Sequence, residues 1–370
     1  MKRVGIITIP DYNNYGNRLQ NYAVKKYFEK LDFQVDTLEL NDSEFEKYRE
    51  RKYKLIIKKY RIKPLVFAFE MLKSGLPKAR REYAFERFTT NNLSVVYEPT
   101  CSMKTFNKLT QKYDFFVLGS DQIWHPTVNS TPNLFFATFA EPEQVIYYAP
   151  SFGVSELSNE YREKVRNYLQ DAKNISVREK EGATIIKDLL GREVEVLADP
   201  TLMLDAEEWR AIAKKPKRFI REKYILTIFL GPVSEEYNRQ IEEYKKKTGL
   251  PIYSLADVRF IDGYVTGPSE FIYAIMNAEI VLTDSFHATV FSIIFEKKFL
   301  CFSRLGENNR KAGLDSRVDE MLEKMGLEKC KYIEGRSIDV NDIEFVKAKE
   351  VIAQEKKKTG DYLRKSLIID

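Results

Sequence analysis

Along this chain, short β-branched or aromatic runs alternate with helical stretches, and no other feature narrows the possible folds as far. Such alternation is the sequence form of an α/β protein built on parallel sheets. In the first half, Val4 to Ile9, Gln34 to Leu38, Asp114 to Leu118, Val145 to Tyr148, Ile175 to Val177 and Val194 to Leu197 read as strands. Helical patterns at Asn17 to Leu31, Asn159 to Gln170 and Lys180 to Leu190 lie between them. A second set follows Asp199-Pro200, with strands at Tyr224 to Leu230, Pro251 to Leu255, Ile280 to Thr283 and Phe299 to Phe302. Its helices are Glu235 to Lys247, Ser269 to Asn277 and Phe286 to Phe295. Two doubly wound, Rossmann-type halves are therefore expected over 1–200 and 201–341. A charged helical stretch without a strand of its own follows over 342–370.

Parallel sheets gather ligand sites at the carboxyl ends of their strands, where loops and helix N-termini converge. In the first half those ends carry Pro10 to Arg18, then Gly119-Ser120-Asp121-Gln122, Ser151-Phe152-Gly153 and Arg178. In the second they carry Gly231, Asp262 to Ser269, Asp284-Ser285-Phe286-His287 and Arg304. Glycines and small polar residues crowd these positions, as a cleft between two domains requires.

The common fingerprints are missing. The 16 glycines contain neither GxGxxG nor GxxxxGK[ST], and GxSxG, HExxH and EF-hand loops are absent as well. Two histidines exclude a His-rich metal site, and no metal is expected. Cys101, Cys301 and Cys330 are odd in number and far apart, so they read as reduced thiols in a cytosol-like compartment. The apolar stretch before Pro10 is too short for the core of a signal peptide, and no run approaches a membrane span.

What remains is anion recognition by arginines and helix N-termini. The strand Ile280 to Thr283 runs into a helix that Ser285 or Asp284 can cap, and the amides there favour a phosphate or carboxylate. His287 lies in that first turn, where it can serve a ligand or simply pack. Arg178 ends a strand at a helix start, where a guanidinium suits bidentate carboxylate or phosphate binding, and where it can equally pair with Glu179.

Several runs are more specific together than apart. They are Tyr15 to Asn21, Leu118 to Trp124, Ile175 to Glu179, Ala198 to Thr201, Gly267 to Phe271 and Thr283 to Thr289. In this order, across most of the chain, they resemble the polysaccharide pyruvyl transferase family. The resemblance implies a GT-B-like α/β architecture, two Rossmann-type halves facing a cleft, with a C-terminal helix returning to the first half. It implies an enzyme that moves the pyruvyl group of phosphoenolpyruvate onto sugar hydroxyls of a polysaccharide or its lipid-linked precursor, giving a pyruvate ketal and phosphate. Phosphoenolpyruvate enters as co-substrate, with no cofactor.

By motif match, His287 and Arg178 take the places of the family's site histidine and arginine. Ser285, Asp284, Arg304 and Glu270 then fall on the donor side, in the second half. Asn14, Gly16, Asn17, Arg18, Ser120, Asp121 and Gln122 fall on the acceptor side, in the first. One departure is Ala288, where the family usually has glycine. A nucleotide-sugar glycosyltransferase and a non-catalytic glycan-binding relative are the competing readings, because fold alone does not choose among them.

The net charge of +5 is unevenly placed. From Lys47 to Arg87 there are 14 basic and 4 acidic residues, a local +10, so the rest of the chain sums to −5. Tyr53, Ile56, Ile57 and Tyr60 fall on one edge of a helix here, amid lysines, so a basic helical insertion over 43–90 is expected. One reading docks it on the first half with a solvated face. The other sets it against anionic membrane at the cytoplasmic face, where a lipid-linked acceptor would reside. Nucleic acid is not an expected partner, since the segment matches no recognised module.

Overall fold

The computed structural model describes residues 1–40, 75–98, 102–127, 132–217, 222–306, 316–335 and 342–367. Residues 41–74, which hold most of the expected basic insertion, lie outside them. The chain divides into two compact units: 1–76 with 89–203 and 356–370, and 77–88 with 204–355.

The first unit is built on seven parallel strands: β1 (Arg3–Ile7), β2 (Gln34–Leu40), β3 (Val95–Glu98), β4 (Phe115–Asp121), β5 (Val145–Pro150), β6 (Asn174–Val177) and β7 (Glu195–Val196). Their order is β3-β2-β1-β4-β5-β6-β7. β1, β4 and β5 are almost wholly buried, as strands covered on both faces must be. Helices α1 (Tyr15–Glu29), α2 (Leu76–Asn92), α3 (Met103–Lys112), α4 (Asn159–Leu169) and α5 (Lys180–Leu190) connect or follow them. The chain steps outward from β1 through β2 to β3 and then returns to β4 on the other side. The loops after β1 and β4 therefore diverge, and the carboxyl ends of these two strands form the topological switch point of the sheet.

β3 and α3 were not anticipated. β3 is an edge strand, only half-buried, so its apolar run is short and ends in Tyr97-Glu98. The Ser102 cap of α3 accepts from Thr105 N, which starts this short helix.

The second unit holds four parallel strands, β8 (Ile225–Ile228), β9 (Ile252–Ser254), β10 (Ile280–Thr283) and β11 (Phe299–Cys301), in the order β11-β10-β8-β9. Its helices are α6 (Ala206–Ile212), α7 (Glu235–Thr248), α8 (Pro268–Asn277), α9 (Phe286–Ile294) and α10 (Ser316–Met325). Here the switch point lies between β8 and β10. Phe291 of α9 meets Trp209 and Phe271 edge-on at 4.9 and 5.7 Å, so α9 is fixed against both α6 and α8. The two parallel-sheet α/β halves read from the sequence are thus present, each with its own sheet.

Residues 77–88 of α2 were expected with the first half, as the end of the insertion, but they group with the second unit. The reason is a buried cation. Arg81 donates to the carbonyl oxygens of Leu255 and Tyr264 at 3.1 and 2.8 Å, which ties this stretch to the loops after β9.

The last helix, α11 (Val346–Ser366), is divided between the units at residue 356. Within the first unit, Leu363 and Leu367 are fully buried, and the Tyr362 hydroxyl donates to the carbonyl of Tyr147 at 3.0 Å. Lys358 adds a bond to the carbonyl of Val196 at 2.9 Å. This end of the chain therefore closes a core shared with Val4, Val24 and Phe28. Leu363→Ala should cost about 2–5 kcal/mol, the range for emptying a buried leucine site. Chemical denaturation followed by fluorescence reads this directly; a loss below about 0.5 kcal/mol would mean that the helix end only rests on the sheet.

Candidate functional site

Two clusters stand at the switch points, one in each unit. In the first, the opening turns of α1 are polar and yet buried: Asn17, Arg18, Gln20 and Asn21 have no exposed surface. Buried polar groups seek partners, and each of these side chains makes at least one hydrogen bond, although Gln20 Oε1 and Asn21 Nδ2 make none among the described residues. Arg18 donates to Glu39 at 3.1 Å, to the carbonyl of Ile9 at 2.8 Å and to Asn17 Oδ1 at 2.8 and 3.0 Å. Since guanidinium only donates, Asn17 must turn its oxygen to Arg18 and its amide NH2 the other way. That NH2 donates to Asp121 Oδ2 at 3.0 Å and so ties the first turn of α1 to the end of β4. Gln20 donates to Thr8 Oγ1, and Thr37 to Asn21 Oδ1, both at 3.0 Å.

Arg178 lies deeper than its placement in the sequence implied. Its side chain is 4% exposed, and its Nη1 donates to Asp199 Oδ2 at 3.0 Å and lies 3.5 Å from Ser120 Oγ. Glu179 Oε2 is 3.9 Å from Arg178 Nε. Burial works against the guanidinium's charge, but Asp199, Glu179 and Asp121 outweigh it and hold its pKa above the ordinary value. The other oxygens are used as well: Asp199 Oδ1 accepts from Thr201 N and Oγ1, and Glu179 Oε1 accepts from Ser151 Oγ and the amides of Phe152 and Gly153. Gly153 has φ +66, and a Cβ there would fall 2.2 Å from Gln122 Nε2, so only glycine lets the Gln122 amide lie against this turn.

In the second unit, Asp284 plays the bridging part. Its two carboxylate oxygens accept from the amides of Leu230 and Gly231 at 2.7 and 2.8 Å, which joins the loops after β8 and β10. Arg304 donates to the Asp284 carbonyl at 3.3 Å and leaves its side chain 25% exposed. Burial raises the Asp284 carboxyl pKa, while Arg304 and the amides pull it back without cancelling the rise. A Cβ on Gly231 would meet the carbonyl oxygen of Leu305 at 2.5 Å, so this loop can close only with glycine. Ser285 caps α9 by accepting from Ala288 N, and half-buried His287 stands in the first turn with its ring edge-on to Phe286 at 5.3 Å. The Ala288 methyl is wholly buried, so the departure from glycine is taken up by packing rather than at the open end of the helix.

The residues singled out in the sequence therefore divide by exposure. Asn14 (the N-cap of α1), Asp121, Gln122, His287 and Arg304 are half-buried, whereas Gly16, Asn17, Arg18, Ser120, Asp284, Ser285 and the side chain of Arg178 are buried. Glu270 is spent locally: it accepts from Gly267 N at the start of α8 and lies 3.6 Å from Arg87. Glu39, Glu179 and Asp199 were not named as site residues. Their signal lies in Arg18 and Arg178, since a buried guanidinium demands a carboxylate nearby.

The family model described as polysaccharide pyruvyl transferase matches residues 14–305 of this chain. No curated protein matches it. Among solved structures, the Staphylococcus aureus MnaA–UDP complex is 12% identical, with 99% of this chain and 91% of that one covered and a TM-score of 0.48. UDP-GlcNAc 2-epimerase from Neisseria meningitidis, bound to UDP-GlcNAc, is 13% identical, with 99% and 100% covered and the same TM-score of 0.48. Escherichia coli heptosyltransferase WaaC with ADP is 9% identical over 95% and 99%, with a TM-score of 0.39. Likenesses this remote carry nothing about what this chain binds.

Arg178 and Asp199 should behave as one buried pair. Removing either partner alone, by Arg178→Met or Asp199→Leu, should cost about 3–5 kcal/mol, and combining the two changes should recover much of that loss. A double-mutant cycle on urea-unfolding free energies tests it, and simple additivity would show that the pair is not coupled.

Proposed function

We propose a specific reaction for this chain, which belongs to the polysaccharide pyruvyl transferase family: transfer of the pyruvyl group of phosphoenolpyruvate to hydroxyls of a sugar, in a polysaccharide or its lipid-linked precursor. The products are a pyruvate ketal and phosphate, and phosphoenolpyruvate is the co-substrate, so the reaction calls for no cofactor. Family membership makes the chain an enzyme of polysaccharide modification; the donor and the chemistry are our reading.

The observation that carries the reading is the second-unit switch point. A Ser285-capped helix presents its first turn there, His287 stands on that turn, and Arg304 is partly exposed at the same strand ends. Phosphoenolpyruvate is a small anion with one phosphate and one carboxylate. Amides at a helix N-terminus and a guanidinium are the groups that recognise such a ligand. We assign His287 to the phosphate or to protonation of the enol carbon, and Asn14 and Gln122 of the first unit to the acceptor. Arg178, already paired with Asp199, works by holding Ser120 and the neighbouring strand ends in place.

Chemically, the enol carbon C3 takes a proton, C2 accepts a hydroxyl oxygen, and phosphate departs with the electron pair of its C2–O bond. A second hydroxyl then closes the ketal. Each positioned proton transfer contributes about 10²–10⁴-fold. His287→Ala should therefore lower phosphate release from phosphoenolpyruvate, measured over a panel of 4-nitrophenyl hexopyranosides, by at least that lower bound. Phosphoenolpyruvate should also raise the melting temperature of the native protein while UDP- and GDP-sugars leave it unchanged; protection by nucleotides alone would favour a glycosyltransferase.

No helix among the described residues is long and apolar enough to cross a membrane. The basic segment over 43–90 supplies the support for contact with anionic lipid, through its local excess of positive charge. Vesicles containing phosphatidylserine should retain the protein at low salt and release it as salt rises, whereas equal retention on neutral vesicles would exclude the charge mechanism.

A further inference from the structure

Six carboxylates stand at or beside the two switch points, and five of them are already engaged. Asp199 and Asp284 have both oxygens hydrogen-bonded, Glu39 is held by Arg18 and the Tyr12 hydroxyl, and Asp11 Oδ1 closes its own loop by accepting from Asn13 N; Glu179 takes three donors on Oε1, and its Oε2 is wholly buried, out of reach of a ligand. Asp121 differs. Its carboxylate receives one hydrogen bond among the described residues, from Asn17 Nδ2 to Oδ2, and its side chain is half-buried rather than enclosed. Oδ1 is left without a bond to the described residues.

The backbone at Asp121 is also unusual. Its φ is +78°, in the left-handed region that a residue with a Cβ enters at a cost. The surroundings hold it there: its carbonyl accepts from Ser151 N at 2.9 Å, and it pairs with Pro150 of β5. Asn17 cannot turn away, because its own oxygen is fixed by Arg18, which Glu39 in turn anchors. Strain kept by several independent contacts at the end of a central strand is the pattern of a side chain aimed for use.

From this geometry we infer that Asp121 is the base that takes the proton of the acceptor hydroxyl. The inference rests on the pyruvyl-transfer reading and adds to it the group that activates the acceptor. As the hydroxyl O–H bond breaks, its proton passes to Asp121 Oδ1 and its electron pair forms the new C–O bond at C2. The C2=C3 pair meanwhile takes a proton at C3. When phosphate leaves, the second hydroxyl adds and gives up its own proton. Of the two hydroxyl protons, one is accounted for by the methyl group of the ketal and the other by the departing phosphate. Asn17 and Arg18 are positioning residues in this scheme, since they act through Asp121.

The test uses the full chain and the same hexopyranoside panel. Asp121→Asn should lower kcat for phosphate release by about 10²–10⁴-fold while the melting-temperature shift caused by phosphoenolpyruvate stays as in the native protein. Asp121→Gly, which relieves the left-handed strain, should melt no lower than the native protein, lose turnover to the same degree and regain part of it when formate is added. Turnover within threefold of native in Asp121→Asn, or loss in Asp121→Gly that formate does not touch, would overturn the assignment. If the native protein neither binds phosphoenolpyruvate nor releases phosphate from it, the pyruvyl-transfer reading falls and takes this inference with it. That outcome differs visibly from a failure confined to the variants.

Discussion

Arg18 has no exposed side-chain surface, and a guanidinium stays charged at any pH a protein meets. An isolated charge in that position would be prohibitive, so everything around it must answer it. Glu39 supplies the countercharge from the end of β2, Ile9 a carbonyl from the loop after β1, and Asn17 an oxygen from the same helix. Once those are fixed, the remaining face of Asn17 has one place to go, which is Asp121 at the end of β4. A single buried cation thus sets the relation of three strand ends, and with it the position of the acidic side chain that faces outward.

The second unit solves the same problem with the opposite charge. Asp284 is buried between the loops after β8 and β10, and two backbone amides with Arg304 beside them stand in for water. The two switch points are therefore closed alike, by one side chain that crosses from strand end to strand end. What they share is a requirement of the topology, since the loops on either side of a switch point diverge and nothing in the backbone ladder joins them.

How much of this could be read from the sequence follows from where the information is stored. Strands such as Ile280 to Thr283 and Val145 to Tyr148 were legible because both faces are buried and the apolar run is unbroken. The half-exposed edge strand Val95–Glu98 was not, for the converse reason. The strand ends were legible as positions, because glycines and small polar residues collect there. The depth of each residue was not. Arg178 and His287 look alike in the sequence as polar residues near a helix start, yet one is packed against Asp199 and the other stands half-buried on the first turn of α9. Depth depends on partners far away in the chain, such as Glu39 for Arg18, and no local pattern records them. Nothing in the sequence marked residues 77–88 for the second unit either, since the partners of Arg81 are carbonyl groups and carbonyls are the same at every residue.

The pairing also underlies the proposed division of ligands between the units. At the first switch point, two guanidiniums, Arg18 and Arg178, stand among five carboxylates, Asp11, Glu39, Glu179, Asp199 and Asp121. That surplus of negative charge disfavours an anion there. At the second, the partly exposed Arg304 lies beside the buried Asp284. The amides of the α9 N-terminus add partial positive charge in the same place. The proposed reaction accordingly assigns the dianionic donor to the second unit and the sugar to the first. The basis of this division is the residual charge after internal pairing, a quantity that the +5 of the whole chain does not express.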